Sequence, residues 1–183
     1  MKLYLASTSP RRQELLGTLG IPFEIIKPTF EEKPTTLSPQ NECLYFAEQK
    51  ALSVATSCPN SLVIGSDTLI DFNGKKLGKP QDAEDAVTML TALSGKSHLV
   101  WTAVVLLNTQ NNTMLKHIES ASVVFKKISE KEIRDYVATG EPLDKAGAYA
   151  IQGLGNTLIN RFEGSQDTIV GLSLNPLKTW LKY

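Results

Sequence analysis

Apolar and polar positions follow two different periods along this 183-residue chain. Short apolar runs bounded by turn residues predict buried strands at residues 3–6, 23–26, 62–70, 149–151 and 158–162. Longer segments that open on a capping residue, often with proline after it, predict helices at residues 10–19, 39–57, 83–93, 130–139 and from 175 onward. Asn73-Gly74 and Asn111-Asn112 predict two hairpin turns, and the second turn joins predicted strands at 98–107 and 114–125.

Helices and strands mix along the whole chain, without a repeat, a low-complexity tract or a linker rich in Pro, Gly and Ser. This order predicts one α/β domain over residues 1–183, of a length that suits a single domain or two closely joined lobes. The hairpins place antiparallel strands in the sheet beside any parallel ones. We therefore expect a mixed central β-sheet flanked by helices.

The composition is that of an ordinary globular protein, with 42% hydrophobic and 21% charged residues. Because 19 Lys and Arg balance 19 Asp and Glu, no bulk positive field favours a nucleic-acid partner. The longest apolar run, 99–107, is far shorter than the roughly 20 residues that span a bilayer, and the first residues lack the apolar stretch of a signal peptide. We expect a cytoplasmic protein in which Cys43 and Cys58 are buried free thiols of one helical segment.

The first predicted strand passes directly into a helix at Ser7-Thr8-Ser9. Hydroxyls and free backbone amides at the start of a helix suit a bound phosphate. Arg11 and Arg12 follow in the first helical turn, where positive charge is unfavourable beside the positive end of the helix dipole. A bound triphosphate would compensate this charge, because guanidinium groups bind phosphate oxygens in pairs. The alternative is a plain serine cap followed by two surface arginines.

A carboxylate stands at the end of an apolar strand in Gly65-Ser66-Asp67-Thr68. Burial of a carboxylate is costly unless it is paired or bound to a metal. Asp67 is therefore a strong candidate for a catalytic residue that holds Mg²⁺ or Mn²⁺ and polarises the attacking water. Glu32, in a loop after the second strand, is a candidate second ligand. The alternatives are an Asp67 that caps a turn and a Glu32 that is solvated.

Three more candidates are a pair of lysines and an amide. Lys50 on the second long helix and Lys79 in a Gly-Lys-Pro segment suit phosphate by charge, although a lone lysine is usually solvent-exposed. Gln152 lies in the segment 140–153, which mixes charged, small and aromatic residues as the wall of a binding site does. Its amide can read the edge of a base, or it can satisfy local backbone groups instead.

The run from Leu5 to Leu16, LASTSPRRQELL, resembles the opening signature of the Maf family of nucleotide pyrophosphatases. Further matches follow in the order of that family over nearly the whole chain, at residues 31–32, the Lys50 helix, 65–68, 78–80, 93–102 and 140–153. The resemblance implies a Maf/ITPase-like fold with a nucleotide cleft between two lobes. It also implies hydrolysis of a nucleoside triphosphate between its α and β phosphates, with a divalent metal, Mg²⁺ or Mn²⁺.

The same resemblance assigns roles to single residues. Asp67 matches the proposed catalytic acidic residue of the family, and its pocket residues match Ser7, Arg11, Arg12, Glu32, Lys50 and Lys79. A homodimer is compatible with the resemblance. The chain departs from the family pattern where Ser173 replaces the usual proline and Gln166 replaces a common aromatic residue, and neither departure touches the proposed acid or the phosphate ligands.

Within the family, the branch that acts on dTTP and UTP is similar to this chain at Arg11, Thr68 and Gln152. The branch that acts on 7-methyl-GTP carries a bulky aromatic residue after the proline, where this chain has Arg11. We therefore expect pyrimidine triphosphates, including modified ones, as substrates. The alternatives are a 7-methyl-GTP pyrophosphatase and a non-enzymatic, nucleotide-binding regulator of cell division.

Overall fold

The computed structural model describes residues 1–181. Within them the chain forms seven strands and six α-helices. The strands are β1 Lys2–Ala6, β2 Glu24–Ile26, β3 Ser61–Phe72, β4 Lys75–Leu77, β5 Ser97–Asn108, β6 Thr113–Phe125 and β7 Ile159–Glu163. The α-helices are α1 Pro10–Gly17, α2 Pro39–Leu52, α3 Ala83–Leu93, α4 Glu130–Ala138, α5 Gln166–Val170 and α6 Leu174–Trp180.

The strands of the described chain form one mixed sheet, which confirms the predicted α/β class. Their order is β2-β1-β3-β5-β6-β7, and β4 pairs with β3. β1 is parallel to β2 and to β3, whereas β4 is antiparallel to β3 and β7 is antiparallel to β6. Asn73 and Gly74 both have positive φ, 54° and 82°, as the tight turn between β3 and β4 demands.

The residues group into two compact units, and strands β3, β5 and β6 pass from one unit into the other. The first unit comprises Met1–Thr68, Thr102–Glu119 and the described residues from Gly171 onward, and the second comprises Leu69–Trp101 and Ser120–Val170. Apolar residues from β1, α1, β3, β5 and α6 form the core of the first unit, among them Leu5, Leu16, Ile64, Val104 and Leu177.

The register of β1 and β3 determines which residues share an edge of the first unit. Leu5 pairs with Ile64 in this parallel ladder. The turn that starts at Ser7 therefore emerges beside the segment of β3 that carries Asp67. Residues that are far apart in the chain reach the same end of the sheet in this way, as expected for parallel strands.

The predicted strand at 62–70 is confirmed as β3, which continues to Phe72, so Asp67 lies within this strand and not at its end. One predicted boundary in the first unit is wrong. Helix α2 ends at Leu52 instead of near residue 57, and Cys58 follows a separate 3-10 turn at Ala55–Ser57. The two cysteines are therefore not in one helix, but both are buried free thiols, as predicted.

The predicted strand at 149–151 is also wrong, because these residues follow a 3-10 turn and have no strand pairing among the described residues. Gly147 and Ala148 have positive φ of 67° and 60°, which turns the backbone out of the extended conformation.

The last helix begins at Leu174 with Ser173 as its N-cap, one residue before the predicted Asn175. The short helix α5 escaped prediction because five residues are too few to show a helical period.

Candidate active site

Helix α2 approaches β3 most closely at Gly65. A methyl group on Gly65 would stand 2.2 Å from the carbonyl oxygen of Ala47 and 2.9 Å from Cβ of Ala51. Only a residue without a side chain fits this contact. Lys50, which precedes Ala51 on α2, is thereby held against the strand that carries Asp67.

The ammonium group of Lys50 lies between two carboxylates. Its Nζ is 2.5 Å from Oδ1 of Asp67 and 2.6 Å from Oε1 of Glu32. Lys50 is 8% exposed and Asp67 is 6% exposed, whereas half of the Glu32 side chain is in contact with solvent. A buried charge needs a partner of opposite sign. The structure therefore places three of the predicted site residues in direct contact.

Burial raises the pKa of the Asp67 carboxyl above its ordinary value, and the negative charge of Glu32 acts in the same direction. The positive charges of Lys50 and Arg12 lower the pKa but do not cancel the effect of burial. A carboxylate whose pKa is raised is a better proton acceptor than an ordinary surface carboxylate. Asp67 therefore accepts a proton more readily than an exposed aspartate does.

Two hydrogen bonds fix the orientation of the planar guanidinium group of Arg12. Its Nε donates to the carbonyl oxygen of Gly171 at 2.8 Å, and its Nη2 donates to Oγ1 of Thr68 at 3.2 Å. Oγ1 of Thr68 in turn lies 2.9 Å from Oγ1 of Thr102. Because Arg12 carries five donors in a fixed fork, its remaining N–H groups have a defined direction for an anion.

The carbonyl oxygen of Gly171 is a shared acceptor in the first unit. Besides Arg12 it receives the Ser66 hydroxyl at 3.1 Å and the Thr68 hydroxyl at 3.4 Å. Gly171 has φ of 123°, a conformation that residues with a side chain rarely adopt. Sequence reasoning missed Gly171, because a residue type does not reveal which backbone carbonyl will accept hydrogen bonds. The signal that the sequence offered was a glycine between two predicted elements.

The turn from β1 into α1 forms as predicted, but without a hydroxyl cap. Ser9 is the N-cap residue, and its side chain makes no capping hydrogen bond within residues 1–181. The buried Ser7 accepts a hydrogen bond at its Oγ from the backbone N–H of Ser9, at 3.2 Å. The N–H groups of a first helical turn have no partner inside the helix, and the half-buried Arg11 lies in that turn. Backbone N–H donors and the positive charge of Arg11 therefore lie together in the first turn of α1.

The loop that carries Glu32 is held by hydrogen bonds on both sides of that residue, to α2 and to Ser53, the C-cap residue that follows α2. Before it, the N–H of Thr29 donates to Oγ of Ser53 at 3.2 Å, and the Thr29 hydroxyl donates to the carbonyl of Ser53 at 3.1 Å. After it, the N–H and hydroxyl of Thr35 both donate to the buried carboxylate of Glu42. These contacts, which sequence reasoning also missed, explain how an exposed loop residue keeps its contact with Lys50.

Lys79 and Gln152 belong to the second unit, and both are exposed. Near Lys79, the carbonyl of Gly78 accepts the N–H of Gly147 at 2.9 Å, which joins two loops of this unit. The part of Lys79 and Gln152 in a nucleotide site stays a prediction.

The turn that follows Gln152 is organised by Glu141. Oε1 of Glu141 accepts the Tyr136 hydroxyl at 3.0 Å and the N–H of Gly155 at 2.9 Å, and Oε2 accepts the N–H of Leu154 at 3.0 Å. Burial acts to raise the pKa of Glu141, but these donors outweigh it, so that the pKa is lowered. An ionised carboxylate therefore anchors the turn next to the predicted base-reading residue.

Asp67 and Glu32 offer oxygen ligands for a hard divalent cation. Within residues 1–181, no group of three or more His, Cys, Asp or Glu side chains could hold a metal by itself. Mg²⁺ commonly uses one or two carboxylates, with water and substrate phosphates as its other ligands. The ammonium of Lys50, which touches both carboxylates, shows that the space between them accepts a cation. The two residues thus fit Mg²⁺ or Mn²⁺ that also has phosphate ligands.

Comparison with known proteins gives consistent results for the whole chain. Residues 2–183 match the model of a family described as Maf-like protein. A dTTP/UTP pyrophosphatase of Clostridium botulinum is 41% identical, with coverage of 100% of this chain and 98% of that protein. A dTTP/UTP pyrophosphatase of Yersinia pestis is 47% identical over 94% of this chain and 87% of its own length.

Among solved structures, the Ham1 protein of Staphylococcus aureus has a similar fold. The TM-score is 0.50 at 14% sequence identity, and the match covers 69% of this chain and 73% of that one. At this identity the likeness concerns the fold alone. Of the helices within residues 1–181, none has the length and apolar character that a membrane crossing requires.

Proposed function

Because the chain belongs to the Maf-like protein family, we propose that it hydrolyses nucleoside triphosphates between the α and β phosphates, in the cytoplasm. The products are the monophosphate and pyrophosphate, and the preferred substrates are dTTP, UTP and modified pyrimidine triphosphates. Relatives at 41% and 47% identity carry the name dTTP/UTP pyrophosphatase. The observation that carries the reaction is the buried carboxylate of Asp67, with Lys50 in contact and Arg12 bonded to the next residue.

The cationic groups of the first unit suit the charge that this reaction develops. Attack of water on the α-phosphorus places negative charge on the phosphoryl oxygens and on the departing pyrophosphate, and fixed donors stabilise it most effectively. Arg12 is fixed by its bonds to Gly171 and Thr68. The N–H groups and the Arg11 side chain of the Ser7 turn are further donors for phosphate. We assign Lys50 and Lys79 to the same phosphates.

Asp67 and Glu32 would hold Mg²⁺ or Mn²⁺, which when bound neutralises phosphate charge and lowers the pKa of a nearby water. Asp67 itself orients the attacking water and takes its proton. The position of Asp67 supports this role, because the residue is buried against Lys50 and precedes Thr68, which is bonded to Arg12. Glu32 has no comparable burial, which suits a ligand that meets the metal at the solvent side.

Thr68 and Gln152 are the proposed selectors of the base. The carboxamide of Gln152 has a donor and an acceptor side by side, and uracil and thymine present the complementary pair on one edge. Thr68 is linked through its hydroxyl to Arg12, so a substrate contact at Thr68 would be coupled to the phosphate end. This assignment favours pyrimidine rings over 7-methylguanine.

The test is a nucleotide panel, with separation of monophosphate plus pyrophosphate from diphosphate plus phosphate. We expect pyrophosphate release from dTTP and UTP with Mg²⁺ or Mn²⁺, and loss of at least about 100-fold in Asp67→Asn. Asp135→Asn is the matched control, because Asp135 also pairs with a lysine, Lys131, at 2.7 Å, but on the surface. It should retain wild-type activity.

Three outcomes would contradict parts of this proposal. Release of a single phosphate, or full activity in Asp67→Asn, would contradict the mechanism. Preference for 7-methyl-GTP would contradict the pyrimidine assignment and leave the reaction class intact. Absence of hydrolysis with every nucleotide, combined with nucleotide binding, would favour a non-enzymatic regulator of cell division.

A further inference from the structure

The two carboxylates that we assign to the metal already share a cation that belongs to the chain. Nζ of Lys50 is 2.5 Å from Asp67 and 2.6 Å from Glu32, and the Lys50 side chain is only 10% exposed. A mobile surface lysine makes weak and changeable ion pairs. Lys50 instead holds both contacts from a buried position on α2, so the ammonium is a fixed part of the site.

A divalent ion that binds the same two oxygens would have to displace the Lys50 ammonium. Mg²⁺ stands about 2.0–2.1 Å from its oxygen ligands, and the ammonium already lies within hydrogen-bond distance of Oδ1 of Asp67 and Oε1 of Glu32. Repulsion between a divalent ion and an ammonium a few ångströms away is strong where water is scarce. Lys50 and the metal therefore compete for Asp67 and Glu32.

We propose that Lys50 is a placeholder cation, which excludes free divalent metal from Asp67 and Glu32 until a triphosphate draws its ammonium away. The inference rests on the proposed function, because it takes these two carboxylates as the metal ligands. A metal that arrives with a triphosphate brings phosphate oxygens, which offer the ammonium a new anionic partner. Lys50 can reach them by rotation of its four-carbon stem while α2 stays in place.

The geometry of α2 supports a movement of the side chain alone. The contact of Gly65 with Ala47 and Ala51 fixes the helix backbone on both sides of Lys50. The bonds of Thr29 to Ser53 and of Thr35 to Glu42 likewise keep the Glu32 loop in place when its ion pair opens. Metal and nucleotide would consequently bind as one unit, and each would strengthen the binding of the other.

The placeholder also explains how the carboxylates of Asp67 and Glu32 can lie close together. A buried carboxylate without a partner is strongly destabilising, and the Asp67 carboxyl is almost fully buried. The ammonium neutralises this charge in the free protein, and the metal takes over that task in the complex. The site therefore carries a compensating cation in both states.

The experiment measures binding of Mn²⁺ alone to the full chain, without nucleotide, from the electron paramagnetic resonance signal of the free ion. Lys50→Gln should bind Mn²⁺ about tenfold or more tightly than the wild type, because the competing charge is gone. Lys116→Gln is the matched control, since Lys116 pairs with Glu48 at 2.7 Å in the same unit. It should bind Mn²⁺ as the wild type does. The double variant Lys50→Gln/Asp67→Asn should lose the gain.

Equal Mn²⁺ affinity in Lys50→Gln and wild type, with both folded by circular dichroism, overturns the proposal. A gain that persists in the double variant also overturns it, because Mn²⁺ is then bound elsewhere. Micromolar binding of Mn²⁺ alone by the wild type overturns it even if Lys50→Gln does not fold. A wild type that fails to hydrolyse dTTP contradicts the proposed function alone, since the Mn²⁺ comparison involves no nucleotide.

Discussion

Gly65 faces the carbonyl oxygen of Ala47 across a gap with no room for a side chain, since a Cβ on Gly65 would lie 2.2 Å from that oxygen. We expect Gly65→Ala to push α2 away from β3 and to lengthen the contact between Lys50 and Asp67. Overpacking of this kind costs about 1–3 kcal/mol. Thermal unfolding should show the loss of stability, and dTTP hydrolysis should fall with it.

Gly17→Ala is the matched control for that change, because a Cβ on Gly17 meets nothing within 4 Å. Gly17 ends α1, where alanine is preferred over glycine by roughly 0.5–1 kcal/mol. This variant should therefore be as stable as the wild type or slightly more so, with unchanged activity. A Gly65→Ala protein that melts and turns over like the Gly17→Ala protein would show that the close approach has no functional effect.

Arg12→Lys should reduce kcat/KM although it keeps the positive charge. Two atoms of the planar guanidinium group donate hydrogen bonds, Nε to Gly171 and Nη2 to Thr68. The single nitrogen of a lysine ammonium group cannot reproduce both of these donors in the same directions. Hydrogen bonds from charged groups contribute about 1.5–3 kcal/mol, which corresponds to roughly a 10- to 100-fold loss. Steady-state kinetics with dTTP measures it.

Arg161→Lys controls for the general effect of this exchange. Arg161 is exposed, and its Nε lies 4.0 Å from Glu163, too far for a strong ion pair. Activity should remain at the wild-type level in that variant. If Arg12→Lys is equally active, the fixed plane of Arg12 is unimportant for phosphate binding.

His98 should make the stability of the protein depend on pH in the acid range. Burial lowers the pKa of His98 to about 4, from 6.5, and its Nε2 lies 2.7 Å from the Tyr149 hydroxyl. The contribution of neutral, buried His98 to the free energy of unfolding is therefore complete above pH 6.5. It is lost as pH falls from 6.5 toward 4. The loss amounts to roughly 3 kcal/mol, from the free energy per pKa unit.

Urea unfolding between pH 7.5 and 4.5 tests this expectation. His98→Gln removes the titrating group and should flatten the decline. Parallel slopes in the wild type and His98→Gln would contradict a neutral, buried His98.

Glu141→Gln should loosen the turn after Gln152. The amide offers one acceptor oxygen where the carboxylate offers two, so the donors Tyr136, Leu154 and Gly155 cannot all be satisfied. We expect roughly 1.5–3 kcal/mol less stability and weaker discrimination between dTTP and purine triphosphates. The ratio of kcat/KM values for the two substrates is the measurement that separates a change of the base site from a general loss of activity.

The corresponding control is Glu163→Gln on β7, where the exposed carboxylate lies 4.0 Å from Nε of Arg161. Exposed pairs of this kind contribute little, so stability and substrate ratio should stay at wild-type values. An unchanged substrate ratio in Glu141→Gln would show that the anchored turn does not position Gln152.

Local signals in the sequence were sufficient for several elements. The capping box of α4 forms with both of its hydrogen bonds between Ser129 and Glu132, and the Asn73-Gly74 turn has the positive φ angles that its residues favour. Proline follows the N-cap of α1 and α2, as predicted. Each of these features depends on residues within three or four positions of one another, whose preferences can be read directly from the chain.

Residue chemistry alone indicates Arg12, Glu32, Lys50 and Asp67, because their charges suit phosphate and metal, whereas Thr68 is indicated only by resemblance to a family. The structure brings Lys50 into contact with Asp67 and Glu32, and Arg12 into contact with Thr68. The specific choice of a pyrophosphatase came from resemblance to a family, because charge alone is compatible with many anion-binding proteins.

The tertiary structure alone decided how these residues meet. Lys50 and Asp67 are 17 positions apart, and Arg12 and Gly171 are 159 positions apart. Such contacts depend on which elements pack together and on the close approach at Gly65. They also depend on the backbone carbonyl of Gly171, whose role cannot be read from the residue type. The sequence by itself determined the local turns, caps and chemical groups, because these depend on near neighbours. Packing determined the shared ammonium, the raised pKa of Asp67 and the fixed plane of Arg12, because burial and distance exist only in the folded chain.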